Sequence, residues 1–179
     1  MPAFVAAEVE RFAAWRPAAL EVEFRLGLGD LHAWLARELA LAGSAPSPAA
    51  LAPEQARLAL TGWIDRVDLD PDGRRAAVID YKTGAVPQAR AVKAGDEPQL
   101  TLYAVAVETG AVRGLPAGGL PVAEAGYYVL TPGEAGLSPR LECGAGAKDR
   151  DALAAGAQRI LSDALAAADR GQPFPLVPA

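Results

Sequence analysis

The run Val78-Ile79-Asp80-Tyr81-Lys82-Thr83-Gly84 places a carboxylate and an ammonium two positions apart, behind two β-branched apolar residues. On a strand, positions i and i+2 point to the same face, so Asp80 and Lys82 project side by side. Such a pair is either a structural ion pair or part of an active site. A second acid, Asp65, stands in Gly62-Trp63-Ile64-Asp65-Arg66-Val67-Asp68. If the two segments are neighbouring antiparallel strands, their carboxylates come within reach of one divalent cation. Hard oxygen ligands suit magnesium or manganese, which keep several waters and bridge to substrate phosphate. A lysine beside that cation can orient or deprotonate a water and stabilise charge developing on phosphorus. Gln99 and Tyr103, four apart, share one face of a helix and offer hydrogen bonds to a phosphate or an attacking water.

These residues need elements to hold them. Asp72-Gly73 joins the runs 56–70 and 74–83 and is a strong hairpin signal. The spacing of Leu100, Tyr103, Ala104 and Val107 predicts a helix over 97–109. Upstream, Phe4, Val5, Val9, Phe12 and Trp15 share a face of a predicted helix over 3–15, ended by Pro17. Residues 19–28 alternate as a strand, and 30–43 read as a helix with Asp30 as N-cap and Gly43 past its end. A Pro- and Ala-rich loop over 44–53 follows. Downstream, 123–131 and 137–143 read as strands, 148–171 as a helix ending on Gly171, and the proline-rich tail as extended. The order predicts a mixed α/β fold around a central sheet.

A chain of 179 residues fits one domain with a real core, and 51% apolar with 22% charged residues is ordinary for a globular protein. A single cysteine, Cys143, rules out an intrachain disulfide or a cysteine-rich cluster built from this chain alone. No apolar run is long enough to span a bilayer and no signal peptide opens the chain, so the expected location is cytoplasmic and away from membranes. The net charge of −5 is unlike the basic excess of a free-standing DNA-binding domain. Contact with DNA would need a local groove or attached domains. There is no P-loop and no Gly-rich dinucleotide fingerprint to support a nucleotide- or sugar-handling enzyme.

The three motifs "GWIDRVD", "VIDYKTG" and "PQLTLYA", in this order and spacing, resemble the RecB- and AddB-type nuclease domains of the PD-(D/E)XK superfamily. The likeness is clear from about Glu23 to Tyr103 and looser beyond. It implies a restriction-endonuclease-like α/β fold, a mixed central sheet flanked by helices. It implies magnesium- or manganese-dependent cleavage of DNA in recombination or repair, as an exonuclease rather than an endonuclease, beside a helicase domain or subunit. Asp65 and Asp80 would be metal ligands, with the main-chain carbonyl of Tyr81 as a third. Lys82 would be the catalytic lysine, and Gln99 and Tyr103 its supporting helix motif. Two departures stand out. Family members carry a histidine before the first strand, whereas His32, the single histidine here, follows it. The run 171–179 resembles the approach to a cysteine cluster, yet no iron–sulfur cluster can form in this chain. Both ends of 1–179 therefore read as trimmed from a larger helicase–nuclease or repair protein.

Blander readings stand beside these. Asp68 and Asp70 read as solvated strand-end and turn residues, and His32 as an ordinary surface position. Arg66, Arg90 and Lys93 could line a phosphate track, though lone basic residues seldom do anything specific. Trp15, Trp34 and Trp63 read as core or interface anchors, Cys143 as an inert buried thiol, and Tyr127 and Tyr128 as sheet residues, one inward and one outward. The main rival to an enzyme is a nuclease-like domain that no longer cuts and serves as a DNA-binding or scaffolding module. The acidic balance and the displaced histidine favour it, while the intact Asp65, Asp80 and Lys82 favour catalysis.

Overall fold

The computed structural model describes residues 3–43, 48–94, 96–131, 134–144 and 149–171. Its elements are α1 (Ala3–Arg11), β1 (Arg16–Gly27), α2 (Leu28–Leu41), α3 (Pro53–Ala56), β2 (Ala59–Leu69), β3 (Ala76–Lys82), α4 (Ala89–Lys93), α5 (Pro98–Glu108), β4 (Val122–Thr131), β5 (Glu134–Glu142) and α6 (Arg150–Asp169). One five-stranded sheet runs in the order β1-β2-β3-β4-β5. All neighbours are antiparallel except β3 and β4, which are parallel. A parallel pair needs a crossover, and α5 lies within it, packed on both strands. The predicted mixed α/β arrangement is the one observed.

The hairpin forms as Asp-Gly predicts, with Gly73 at φ 66° in the turn. Asp70 organises that turn: its Oδ1 accepts from the main-chain N–H of Arg74 and Arg75, and its Oδ2 from Arg75 Nε. Asp70 is thus a buried turn residue, and Asp68 is fully buried. Both differ from the solvated positions expected.

Helices α5, α6 and α2 stack over one face of the sheet, where Leu31, Leu35, Leu100, Val105, Leu153 and Ile160 join Val67 and Val78 in the core. Helix α1 covers the other face and departs most from its sequence reading. It ends at Arg11, four residues before Trp15, and Pro17 lies inside β1 opposite Asp68. β1 is an edge strand with a register shift at Pro17, where a missing N–H is tolerated. The predicted apolar stripe also faces outward, with Val9 62% and Phe12 50% exposed. Charge decides the orientation instead: Glu8 pairs with Arg66, and Arg11 with Asp68 and Glu124. Because α1 covers this face, Tyr128 is buried there as fully as Tyr127 is on the other, so neither points outward.

Smaller differences follow the same logic. α2 starts at Leu28 with Gly27 as N-cap, leaving Asp30 in its first turn, while Gly43 past its end adopts φ 65° as predicted. The short helices α3 and α4 carry no periodic signal of their own length. Trp34 is buried, but Trp63 is 60% exposed and anchors nothing in the core. The expectations for 44–47 and for the tail 172–179 lie outside the described residues. Among the described residues no helix is long and apolar enough to cross a membrane.

Candidate active site

Register brings the two acids together. β2 and β3 pair Arg66 with Ile79 and Val67 with Val78, and Asp65 and Asp80 are the next residues along the two strands. Val67 and Val78 face the core on the α5 side, and two-residue alternation carries Asp65 and Asp80 to that same side. Ile64 is also in the core, so the inward alternation of β2 slips by one residue at Asp65. Across from this point on β1, Glu21, between the pairs Leu20↔Arg66 and Val22↔Ile64, adopts φ 44°. It is the one non-glycine at positive φ among the described residues, and such backbone is strained for a residue with a side chain. A strained residue thus sits directly across from Asp65. Residue type alone carries no signal for it.

Direct contacts join Asp80, Lys82, Gln99 and Tyr103, and Asp65 reaches the same strand end through the main chain of Tyr81. Asp65 Oδ2 accepts from the N–H of Tyr81 at 2.8 Å. Asp80 Oδ2 lies 2.8 Å from Lys82 Nζ. Gln99 Nε2 donates to Asp80 Oδ1 at 2.7 Å and to the Tyr103 hydroxyl at 3.0 Å, while Gln99 Oε1 accepts from Lys82 Nζ at 3.2 Å. Gln99 and Tyr103 are stacked on one face of α5 as their spacing requires. Lys82 is the opening of the site, about a quarter exposed, whereas the Asp80 side chain is almost fully buried.

The electrostatics are those of a carboxylate pair short of positive charge. Burial raises the Asp80 pKa above the ordinary range, and the like charge of Asp65 adds to it, against the pull of Lys82. Burial likewise pushes the Tyr103 hydroxyl up to about 12, with Asp80 and Asp65 contributing. Asp80 Oδ2 has the Lys82 ion pair but no hydrogen bond of good geometry. Among the described residues no three His, Cys, Asp or Glu side chains form a metal-holding group by themselves. Two nearby carboxylates nevertheless have the donor chemistry of a hard cation that keeps several waters, and the raised Asp80 pKa is the imbalance such a cation would relieve.

The remaining predicted residues lie elsewhere. Arg66 does not line a track: alternation turns it to the α1 face, where it is buried against Asp68, Glu8 and the Tyr81 hydroxyl. Arg90 and Lys93 are exposed on α4. His32 has its Nε2 3.0 Å from the carbonyl of Ala49, in keeping with an ordinary position on α2. Cys143 is buried, and burial pushes its thiol up to about 12. A separate cavity of about 960 Å³ between α2 and α6 contains none of the five residues. Its Glu38 and Glu108 are both bonded by Arg150. Sequence reading missed the Arg66–Asp68 network, although the alternation of "DRVD" held the signal that Arg66 faces away from Asp65.

Residues 2–179 match the family described as the PD-(D/E)XK nuclease superfamily. The chain matches no curated protein.

Proposed function

The chain belongs to the PD-(D/E)XK nuclease superfamily, and from that premise we propose that it hydrolyses DNA phosphodiesters with Asp65, Asp80 and Lys82 at the centre of its site. Membership gives the coarse activity, a nuclease of a superfamily that typically uses divalent metal. The observation that carries the finer reading is the convergence of Asp65, Asp80, Lys82, Gln99 and Tyr103 in one contact set at the end of the β2–β3 hairpin.

In this reading Asp65, Asp80 and the Tyr81 carbonyl would hold magnesium or manganese, which supplies Lewis-acid stabilisation of the phosphate when bound. Lys82 orients the attacking water and offsets negative charge on the phosphoryl oxygens. Gln99 holds the Lys82 ammonium through Oε1 and the Asp80 carboxylate through Nε2, so it fixes their relative position. Tyr103 fixes Gln99 in turn. The RecB- and AddB-type order of motifs supports a role in recombination or repair beside a helicase domain or subunit, with exonuclease action.

The experiment is digestion of plasmid and labelled oligonucleotides by the chain, Lys82→Ala and Asp80→Ala, with and without chelator. Expected is weak cleavage that needs magnesium or manganese and is lost in both variants, because misplaced ligands and missing charge stabilisation reduce rate steeply. Cleavage that survives chelator or both substitutions refutes the mechanism. Besides the acidic balance, the scaffold reading has a structural observation in its favour, that His32 bonds Ala49 instead of joining the site. DNA binding without cleavage by any variant would establish it.

A further inference from the structure

Tyr127 has no part in the reaction as proposed, yet it lies against its central lysine. The parallel register of β3 and β4 sets Tyr127 beside Asp80. Its ring is fully buried, and the Lys82 Nζ sits 5.1 Å from the ring centroid. Among the described residues its buried hydroxyl has no hydrogen-bond partner.

Among the described residues Lys82 has three such neighbours: the Asp80 carboxylate, Gln99 Oε1 and the face of Tyr127. Of these, the carboxylate is the one that a divalent cation would share. Once Asp80 is shared, its hold on the ammonium weakens, and Gln99 and the aromatic face are left to keep Lys82 in place. A ring face attracts an ammonium through its quadrupole, and a buried ring does so most strongly because little water competes. We propose that Tyr127 is a positioning residue whose ring holds the Lys82 ammonium at the site when Asp80 is engaged by a cation. The proposal rests on the nuclease reading for its purpose, though not for the contact itself.

The test uses NMR and kinetics on the whole chain, Tyr127→Phe and Tyr127→Leu. The lysines are Lys82, Lys93 and Lys148, so the Lys82 side-chain signals are assigned by comparison with Lys82→Arg. Ring currents should move the Lys82 ε-methylene protons upfield of the other two, in the wild type and in Tyr127→Phe, and the shift should persist in saturating magnesium. Tyr127→Leu should abolish it. In cleavage assays Tyr127→Leu should lower kcat roughly tenfold with little change in KM, the size of a partly desolvated cation–π contact, and Tyr127→Phe should restore most of the rate. A Lys82 signal that is unshifted in the wild type, or that loses its shift on adding magnesium, overturns the proposal even if Tyr127→Leu fails to fold. So does a Tyr127→Phe variant as slow as Tyr127→Leu. Absence of cleavage by the wild type with the shift intact in magnesium refutes the nuclease reading and leaves the Tyr127–Lys82 contact supported.

Discussion

Asp65 accepts a hydrogen bond from the main-chain N–H of Tyr81 at 2.8 Å, and Tyr81 is the residue between Asp80 and Lys82. One carboxylate oxygen thus ties β2 to β3 at the rung where the chemistry is proposed. Its other oxygen has no hydrogen-bond partner among the described residues, and the proposed reading gives it to the cation.

That division predicts different outcomes for two substitutions. Asp65→Ala leaves a partly buried N–H unpaired and should destabilise the fold by about 1–3 kcal/mol. Asp65→Asn retains an acceptor oxygen and should leave stability nearly unchanged while weakening divalent-cation binding. Denaturant unfolding and calorimetric titration with manganese separate the two effects. Equal cation binding by wild type and Asp65→Asn would remove Asp65 from the ligand set.

Asp80 gives a pH-dependent prediction. Its pKa is raised in the fold, chiefly by burial, so the folded state holds the proton more tightly than the unfolded chain. Its contribution to stability is present below the ordinary value of 3.8 and is lost as pH rises through the folded value. At neutral pH the ionised group opposes folding, and Asp80→Asn should raise Tm by a few degrees. Melting curves at both ends of the window check this: the difference should vanish in acid, where both side chains are neutral.

Arg150 bonds both Glu38 and Glu108 beneath α2. Burial works against the Glu38 charge, but the hydrogen bond and charge of Arg150, with help from Arg37, bring its pKa below the ordinary value of 4.5. Its stabilisation is present above 4.5 and fades as pH falls through the folded value. Arg150→Met leaves two buried carboxylates without their main partner and should cost about 3–5 kcal/mol at neutral pH. The sign of the pH dependence of Glu38 should also reverse, since burial, no longer opposed by Arg150, then raises its pKa and mild acid stabilises the variant. Urea unfolding across pH measures it.

Gly62 lies under the ring of Phe24, where an added Cβ would come 2.8 Å from Cε1. Phe24 is buried and packs edge-on against Tyr103, so the ring has little room to yield. Gly62→Ala should destabilise by about 1–3 kcal/mol. It should also lower cleavage, because displacing Phe24 disturbs the Tyr103 hydroxyl that holds Gln99. Unchanged stability would show that the core relaxes here freely.

His32→Ala should leave manganese binding unchanged, since the imidazole bonds the Ala49 carbonyl. A clearly weaker titration in that variant would place His32 in the metal site.

Asp65, Asp80, Lys82, Gln99 and Tyr103 were all legible as a group in the sequence, because strand and helix periodicity are local properties that residue spacing records directly. The hairpin and α5 were legible for the same reason. Helix α1 was not. Its apolar stripe suggests one buried face, but the surface awaiting it carries Arg66, Asp68 and Glu124, and satisfying those buried charges outweighs covering Phe12 and Val9. The burial of Tyr128, Asp68 and Arg66 follows from that one placement. The strained backbone of Glu21 and the ring of Tyr127 beneath Lys82 depend on which strands become neighbours. Glu21 lies 44 positions before Asp65 and Tyr127 lies 45 after Lys82, and only the folded sheet brings such distant residues into contact.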